Sequence, residues 1–424
     1  MNAIRFIATI IVSVLCQLPL HAAPASGLPL ADPRSAGVNP ESLAGISRLL
    51  RQHVDDGLIA GAVAGVARHG QVVYLESVGW QDVEQQQPMQ TDSIFQIRSM
   101  SKPITAVAAL QLIEQGRLSL DDPVSRYIPR FGYMFVYINP DEPFLSAQRK
   151  PEREITIRDL LLNTAGLSHR NSLLYRRMGV RSRADTLEQL VNKVAGVPLI
   201  GDPGEQWVYS ISITVLGRVV EVVSGQALDD YLAAQVFGPL AMQDSGFFVP
   251  EDRVARLARP YQAPQDSQPL SPIEAMDIPI TSDPPLLEGA AGLVSTVPDY
   301  LRFLQSLLAG GELDGQRILG ADTVAQMTCN QIDEALFPFG TNPANPMLDR
   351  GWGYGLAVVT DATQSEFGVN NGEFGWNGSL GTFSWADPET GTVAILMLQI
   401  QPSNAHGLAG EFKDLVYHSL DVNR

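Results

Sequence analysis

A serine and a lysine stand three residues apart in FQIRSMSKPITA (residues 95–106), where an apolar run begins. On a helix, positions i and i+3 share a face, so Lys102 lies over the hydroxyl of Ser99. A neutral amine there takes the serine proton while the oxygen attacks a carbonyl carbon. The helix N-terminus adds positive potential and an unpaired N–H near the developing oxyanion. The implied chemistry is acyl transfer through a serine ester. Taken alone, the tetrad reads more plainly as an N-cap serine followed by a solvated lysine. Two further stretches bear on the choice. GDPGEQWVYSIS (201–212) places Tyr209 after a Pro-Gly turn and an aromatic residue, and FGWNGSLGTFSWADPETG (374–391) reads as a glycine-rich edge strand.

The elements around these residues follow from pattern. Two β-branched, apolar segments, 61–70 and 71–80, meet at His69-Gly70 and predict a hairpin with His69 in the turn. From Ser99 onward Ile104, Val107, Ala108, Leu110, Leu112 and Ile113 recur at helical spacing, with Pro103 in the first turn and Gly116 as the stop. Helical runs follow at 155–166, 213–225 and 296–311, separated by proline-rich connections, and 263–285 reads as an extended surface loop. Strands return at 351–360 and 381–399, with DPETG as a hairpin turn, and 408–420 reads as a closing helix. Strands at both ends with helices between predict a sheet assembled from the two termini around a helical insertion.

SMSK, the Tyr209 stretch and the glycine-rich strand occur in the order of the three motifs of the serine β-lactamase and penicillin-binding-protein superfamily. The chain resembles its class C-like branch over about residues 30–399, including LLLNTAGL (160–167), VFGPLAMQDSGF (236–247) and EGAAGLVSTVPDYLRFLQSLLAGGELDG (288–315). The resemblance implies an α/β plus all-α organisation of the β-lactamase/transpeptidase type, an antiparallel sheet flanked by helices. An α/β domain would comprise 26–95 and 286–424, and a mainly helical domain 96–285 would carry Ser99, Lys102 and Tyr209. It further implies that Ser99 is the acylated nucleophile, Lys102 its proton acceptor, and Tyr209 the phenol that relays protons to the leaving group and activates water. An ammonium beside that phenol would lower its pKa toward the working range. Backbone N–H groups of Ser99 and Ser379 would form the oxyanion hole, with Gly378 letting the strand approach the substrate.

Two positions depart from the β-lactamase pattern. Ile211 stands where that family has an asparagine that bonds a substrate amide, and Trp376-Asn377-Gly378 replaces Lys-Thr-Gly, removing the cation that pairs with a β-lactam carboxylate. Both changes resemble the family VIII carboxylesterases and their acyltransferase relatives. With Trp376, Asn377, Gly378 and Ile211 lining the substrate, a serine hydrolase acting on a small ester or acyl compound is expected, without metal or cofactor. The alternatives are a D-amino-acid peptidase or β-lactamase with the same catalytic set, and a non-catalytic penicillin-binding-like protein. No G-x-S-x-G elbow is present, and the six histidines form no metal-ligand spacing. His169 is placed near the cleft by resemblance, with a polar loop role favoured.

The formal charge of −17, from 46 acidic and 29 basic residues, disfavours nucleic acid and anionic lipid as partners. Residues 1–25 read as a signal peptide: one arginine, an apolar run broken by Gln17 and Pro19, then small residues. An exported protein, periplasmic or secreted, with no stable membrane anchor after leader cleavage is therefore expected. Cleavage would leave Cys329 as the lone thiol, expected to be buried and structural, and the oligomeric state stays open.

Overall fold

The computed structural model describes residues 27–144, 146–182, 184–265, 268–274, 280–337 and 347–420. The leader reading on 1–25 lies outside them, as does part of the 263–285 loop. Among the described residues no helix is long and apolar enough to cross a membrane.

The first helix, α1 (Pro40–Asp55), opens on an Asn39 side chain that accepts the Glu41 N–H at 2.9 Å, with proline at its first position. Leu43, Ile46 and Leu50 recur at helical spacing and are buried. Each contributes roughly 1.5–3 kcal/mol of apolar burial. Strands β1 (Gly61–Arg68) and β2 (Gln71–Asp82) form the expected hairpin, with His69 and Gly70 at φ 50° and 79° in its two-residue turn. A short β3 (Gln87–Pro88) continues from β2.

Five more strands come from the other end of the chain: β4 (Arg350–Trp352), β5 (Ala357–Val359), β6 (Phe374–Gly375), β7 (Thr382–Asp387) and β8 (Thr392–Met397). Together they make one eight-stranded sheet in the order β4-β5-β6-β7-β8-β1-β2-β3. Its neighbours are antiparallel, and the two ends of the chain join where β1 pairs with β8, Val63 facing Met397. The sheet flanked by helices agrees with the expected fold class.

Strand alternation sends the two sets of side chains into different cores. Ala62, Ala64 and Val66 pack with α1, Trp385 and the closing helix, whereas Val63, Ala67 and Ile395 face the larger core that reaches the middle of the chain. That middle supplies α2 (Ser101–Glu114), α3 (Ile157–Leu162), α4 (Ser212–Ser224) and α5 (Val297–Leu308), and the closing helix is α6 (Leu408–Ser419). Helix α5 presses on β1 at Gly65, where a Cβ would stand 2.6 Å from Val297 Cγ1. One sequence expectation fails here. Cys329 is exposed, its thiol accepting from the Gln331 amide at 3.1 Å, because the chain past the short helix Ala321–Met327 runs over the surface.

Candidate active site

The turn that carries Ser99 is built on strain. A two-residue strand, Phe95–Gln96, pairs with Val294–Ser295, and a 3₁₀ turn, Arg98–Met100, then leads into α2. Ser99 therefore lies just before the α-helix, one turn-type away from the position its spacing predicts. Arg98 adopts φ 48°, a left-handed conformation that costs a non-glycine residue about 1–2 kcal/mol. Neighbouring bonds hold it. Ser101 Oγ donates to the Arg98 carbonyl at 2.6 Å and accepts the Leu293 N–H at 3.2 Å, and the Tyr300 hydroxyl donates to the Met100 carbonyl at 2.9 Å.

Lys102 is 2% exposed and donates from Nζ to Ser99 Oγ at 3.1 Å and to the Ala290 carbonyl at 2.9 Å. Burial, reinforced by the Arg170 cation and opposed by Glu288, brings its pKa down to about 7. The amine is thus substantially neutral at neutral pH while in hydrogen-bond reach of the serine hydroxyl. Its nitrogen also lies 4.5 Å from the centre of the Tyr209 ring.

The Tyr209 hydroxyl is bonded to Ser99 and accepts the Trp376 indole N–H at 2.7 Å. Its pKa is pushed up to about 12, because burial outweighs the lowering by the Ser99 and Trp376 bonds and by Arg170. This corrects the expected lowering of the phenol by a neighbouring ammonium. The cation invoked there has its own pKa lowered to about 7, and the ring is walled in by Trp376 at 5.4 Å, Trp207 at 6.0 Å, His169 at 6.1 Å and Trp352 at 6.3 Å between centroids. Tyr209 stays a proton donor at neutral pH.

The opposite wall is the edge turn after β6. The Trp376 carbonyl accepts from Ser384 Oγ at 2.9 Å, Asn377 Oδ1 accepts the Ser384 N–H at 3.3 Å, and the Gly378 N–H donates to the Thr382 carbonyl at 2.7 Å. A Cβ on Gly378 would stand 2.2 Å from Thr382 Oγ1 and 2.3 Å from the Ile97 carbonyl oxygen. The glycine's close approach is therefore to the chain two residues before Ser99, and the next residue, Ser379, is exposed. Ile211 departs from its expected place beside the substrate. Its side chain is 1% exposed in the core, and its N–H caps the 168 carbonyl at 3.3 Å. The structure thus brings Ser99, Lys102, Tyr209 and Trp376 into one bonded group, with Asn377, Gly378 and Ser379 forming its edge, and leaves the Ile211 side chain out.

Sequence reasoning missed a buried charge cluster beside this group. The carboxylate of Glu288, 1% exposed, lies 3.0 Å from Arg170 as an ion pair and accepts from Arg181 Nη2 at 2.8 Å. Glu288 opens the turn that supplies the Ala290 carbonyl to Lys102, and the preceding carbonyl, Gly289, accepts from Thr105 Oγ1 at 2.7 Å. Only the Glu-Gly-Ala-Ala-Gly motif itself, with an acid at its head, hinted at this role. His169, half-buried, has its Nδ1 occupied by the Asn171 N–H at 3.1 Å, and burial followed by the Arg170 charge lowers its pKa, so it stays neutral with the proton on Nε2. Among the described residues no three histidines, cysteines or acids gather as a metal cluster.

Comparison with known proteins adds three findings. The β-lactamase family matches residues 46–417. Protein Rv1367c of Mycobacterium tuberculosis is 32% identical over 370 residues, 85% of this chain and 91% of that one, and Esterase EstB of Burkholderia gladioli is 30% identical over 413 residues, 91% and 98% of the two chains. The solved structure of EstCE1, described as a hydrolase with promiscuous acyltransferase activity, superposes with a TM-score of 0.76 at 30% identity, covering 89% of this chain and 99% of its own.

Proposed function

The chain belongs to the β-lactamase family as a serine hydrolase of that fold, and from this premise we propose that it is a carboxylesterase forming an acyl-enzyme on Ser99. One observation carries the reading: a buried Lys102 amine at 3.1 Å from the Ser99 hydroxyl, its pKa brought down to about 7.

Lys102 takes the Ser99 proton as Oγ bonds to the ester carbonyl carbon. The carbonyl π electrons move onto oxygen, which faces the backbone N–H groups of Ser99 and Ser379. On collapse the bond to the alkoxide breaks, Tyr209 gives that oxygen its proton, and the Lys102 ammonium, whose nitrogen lies 4.5 Å from the phenol ring centre, returns one to Tyr209. Water then enters the alcohol's place, loses a proton to Lys102 as it attacks, and the acid departs as Oγ is reprotonated. Trp376 supports esters over β-lactams, since it holds the phenol by its N–H and offers no cation to a substrate carboxylate. Ile211, with an apolar buried side chain, offers no donor to an amide.

The test is turnover of p-nitrophenyl butyrate beside a chromogenic cephalosporin by wild type, Ser99→Ala and Tyr209→Phe. Ester turnover lost in Ser99→Ala, strongly reduced in Tyr209→Phe, and far exceeding cephalosporin turnover in wild type is expected. A dominant cephalosporin activity would replace the esterase reading with the β-lactamase or peptidase one, and full ester turnover by Ser99→Ala would end the mechanism. Export belongs to the same proposal, resting on residues 1–25, and recovery of the mature protein with that segment intact would remove it.

A further inference from the structure

A cavity of about 720 Å³ opens between the loop at 140–144 and the short helix Leu173–Arg177. Phe144, Leu173, Leu174 and Ile200 give it apolar walls, and Ser168 and Gln206 stand in its lining. Those last two residues connect it to the catalytic group. Ser168 takes the Ile211 N–H on its carbonyl and precedes His169, whose ring packs on Tyr209, while Gln206 precedes Trp207, whose ring packs on the same tyrosine. The cavity lining and the rings packed on Tyr209 therefore come from the same two chain segments, 168–169 and 206–207.

Two properties say what the cavity holds. Its volume is in the range that accommodates a drug-sized ligand, roughly 300–1,000 Å³, and a butyryl group would leave most of it empty. Its rim exposes large apolar side chains that proteins ordinarily cover: Phe144 is 46% exposed and Leu173 53%, with Met178 and Ile138 exposed nearby. The charges at the mouth, Asp141, Glu142 and Arg177, face solvent, and the Arg177 guanidinium lies 5.0 Å from the Phe144 ring centre, where it covers apolar surface.

Building on the esterase reading, we propose that this cavity is the subsite for an extended apolar group of the ester, so that the substrates are amphiphilic esters with a long chain or ring system well beyond four carbons. The group is supplied by the acyl or by the alcohol half, and both present the same hydrocarbon to the same walls.

The experiment measures kcat/KM, below micelle-forming concentrations, for p-nitrophenyl esters from acetate to decanoate and for acetate esters of alcohols of increasing length. Wild type is compared with Leu173→Glu and Phe144→Glu, both at exposed positions, with circular dichroism as the check on folding. In wild type kcat/KM rises along one series from four to eight carbons, by up to about fourfold per methylene at full burial. The series that rises identifies the half of the ester that enters. In both variants the octyl-to-butyl ratio of kcat/KM falls at least about tenfold, mainly through KM. Flat or falling profiles in both series, or an unchanged ratio in folded variants, overturn the subsite while Ser99-dependent butyrate turnover leaves the esterase reading standing. No Ser99-dependent turnover of any ester overturns both.

Discussion

Lys102, on α2, and Lys413 are both withdrawn from water. Lys413, on α6, reaches the buried Glu373 carboxylate, which also accepts from the Tyr417 hydroxyl at 2.6 Å, and its nitrogen lies 4.9 Å from the Trp385 ring centre. Around it, Trp376, Asn377 and Arg350 help line a cavity of about 170 Å³. Lys102 has no such carboxylate in contact. Its hydrogen-bond partners are a hydroxyl and a carbonyl, and Glu288, the acid whose charge acts on it, is committed to two arginines. Burial pushes both lysines down, but Glu373 opposes it directly for Lys413, whereas Arg170 deepens it for Lys102. A buried ammonium with a carboxylate is a structural cross-link, and a buried amine beside a hydroxyl is a base.

The sharpest way to break the comparison is to delete each amine. Lys102→Met is expected to lower ester kcat/KM by about 10³-fold or more, whereas Lys413→Met stays within a few-fold of wild type, measured on the same p-nitrophenyl ester. Stability should reverse the order. Lys413→Met strands a buried Glu373 and costs about 3–5 kcal/mol, while Lys102→Met removes an ill-solvated ammonium and raises the urea midpoint at pH 7. The sign for Lys102 follows from its pKa: ordinary at 10.5, about 7 in the fold. Between those values the unfolded chain binds more protons than the native state, so native stability rises with pH, and the advantage of Lys102→Met should shrink from pH 7 to 10. A methionine variant less stable than wild type at pH 7 would contradict this.

Smaller effects belong to the neighbouring charges. The proposed mechanism needs neutral Lys102, so kcat/KM should fall as pH drops through about 7. Arg170→Gln removes a cation that disfavours the ammonium, which moves this acid limb to higher pH. Glu288→Gln removes the opposing acid and moves it lower, and Lys413→Met leaves it in place. Limbs shifting the same way in both Arg170→Gln and Glu288→Gln would mean a disturbed fold rather than an altered field. Smallest is Trp376→Phe, which deletes the indole N–H held by Tyr209 and is expected to cost about tenfold in kcat, read directly from saturation curves.

What the sequence made legible was local. Ser99 and Lys102 are three residues apart, the hairpin announces itself at His69-Gly70, and α4 ends where Gly225 takes φ 78°. Tyr209 and Trp376 were legible through motif order. Contacts between distant segments were not: Arg181 and Glu288 are 107 positions apart, and nothing in either neighbourhood marks them as partners. Burial was the other blind spot. Ile211 and Tyr209 were placed beside the substrate by motif, but the first lies in the core and the second is enclosed by rings at 169, 207, 352 and 376, which lie far apart in the chain. The exposure of Cys329 was misjudged for the same reason, since a residue type predicts average burial and the local path of the chain decides it.

At Gly378 the edge turn is gauged against the nucleophile turn by a missing methyl group. With the Ile97 carbonyl 2.3 Å from where that methyl would be, and Thr382 Oγ1 donating to the same carbonyl at 3.3 Å, the two turns are packed backbone to backbone. The spacing between them is thus a manufactured tolerance of the backbone itself, insensitive to which side chains later line the cleft. Substrate preference can drift through the loop at 140–144 and the helix at 173–177 while the reacting geometry stays in register.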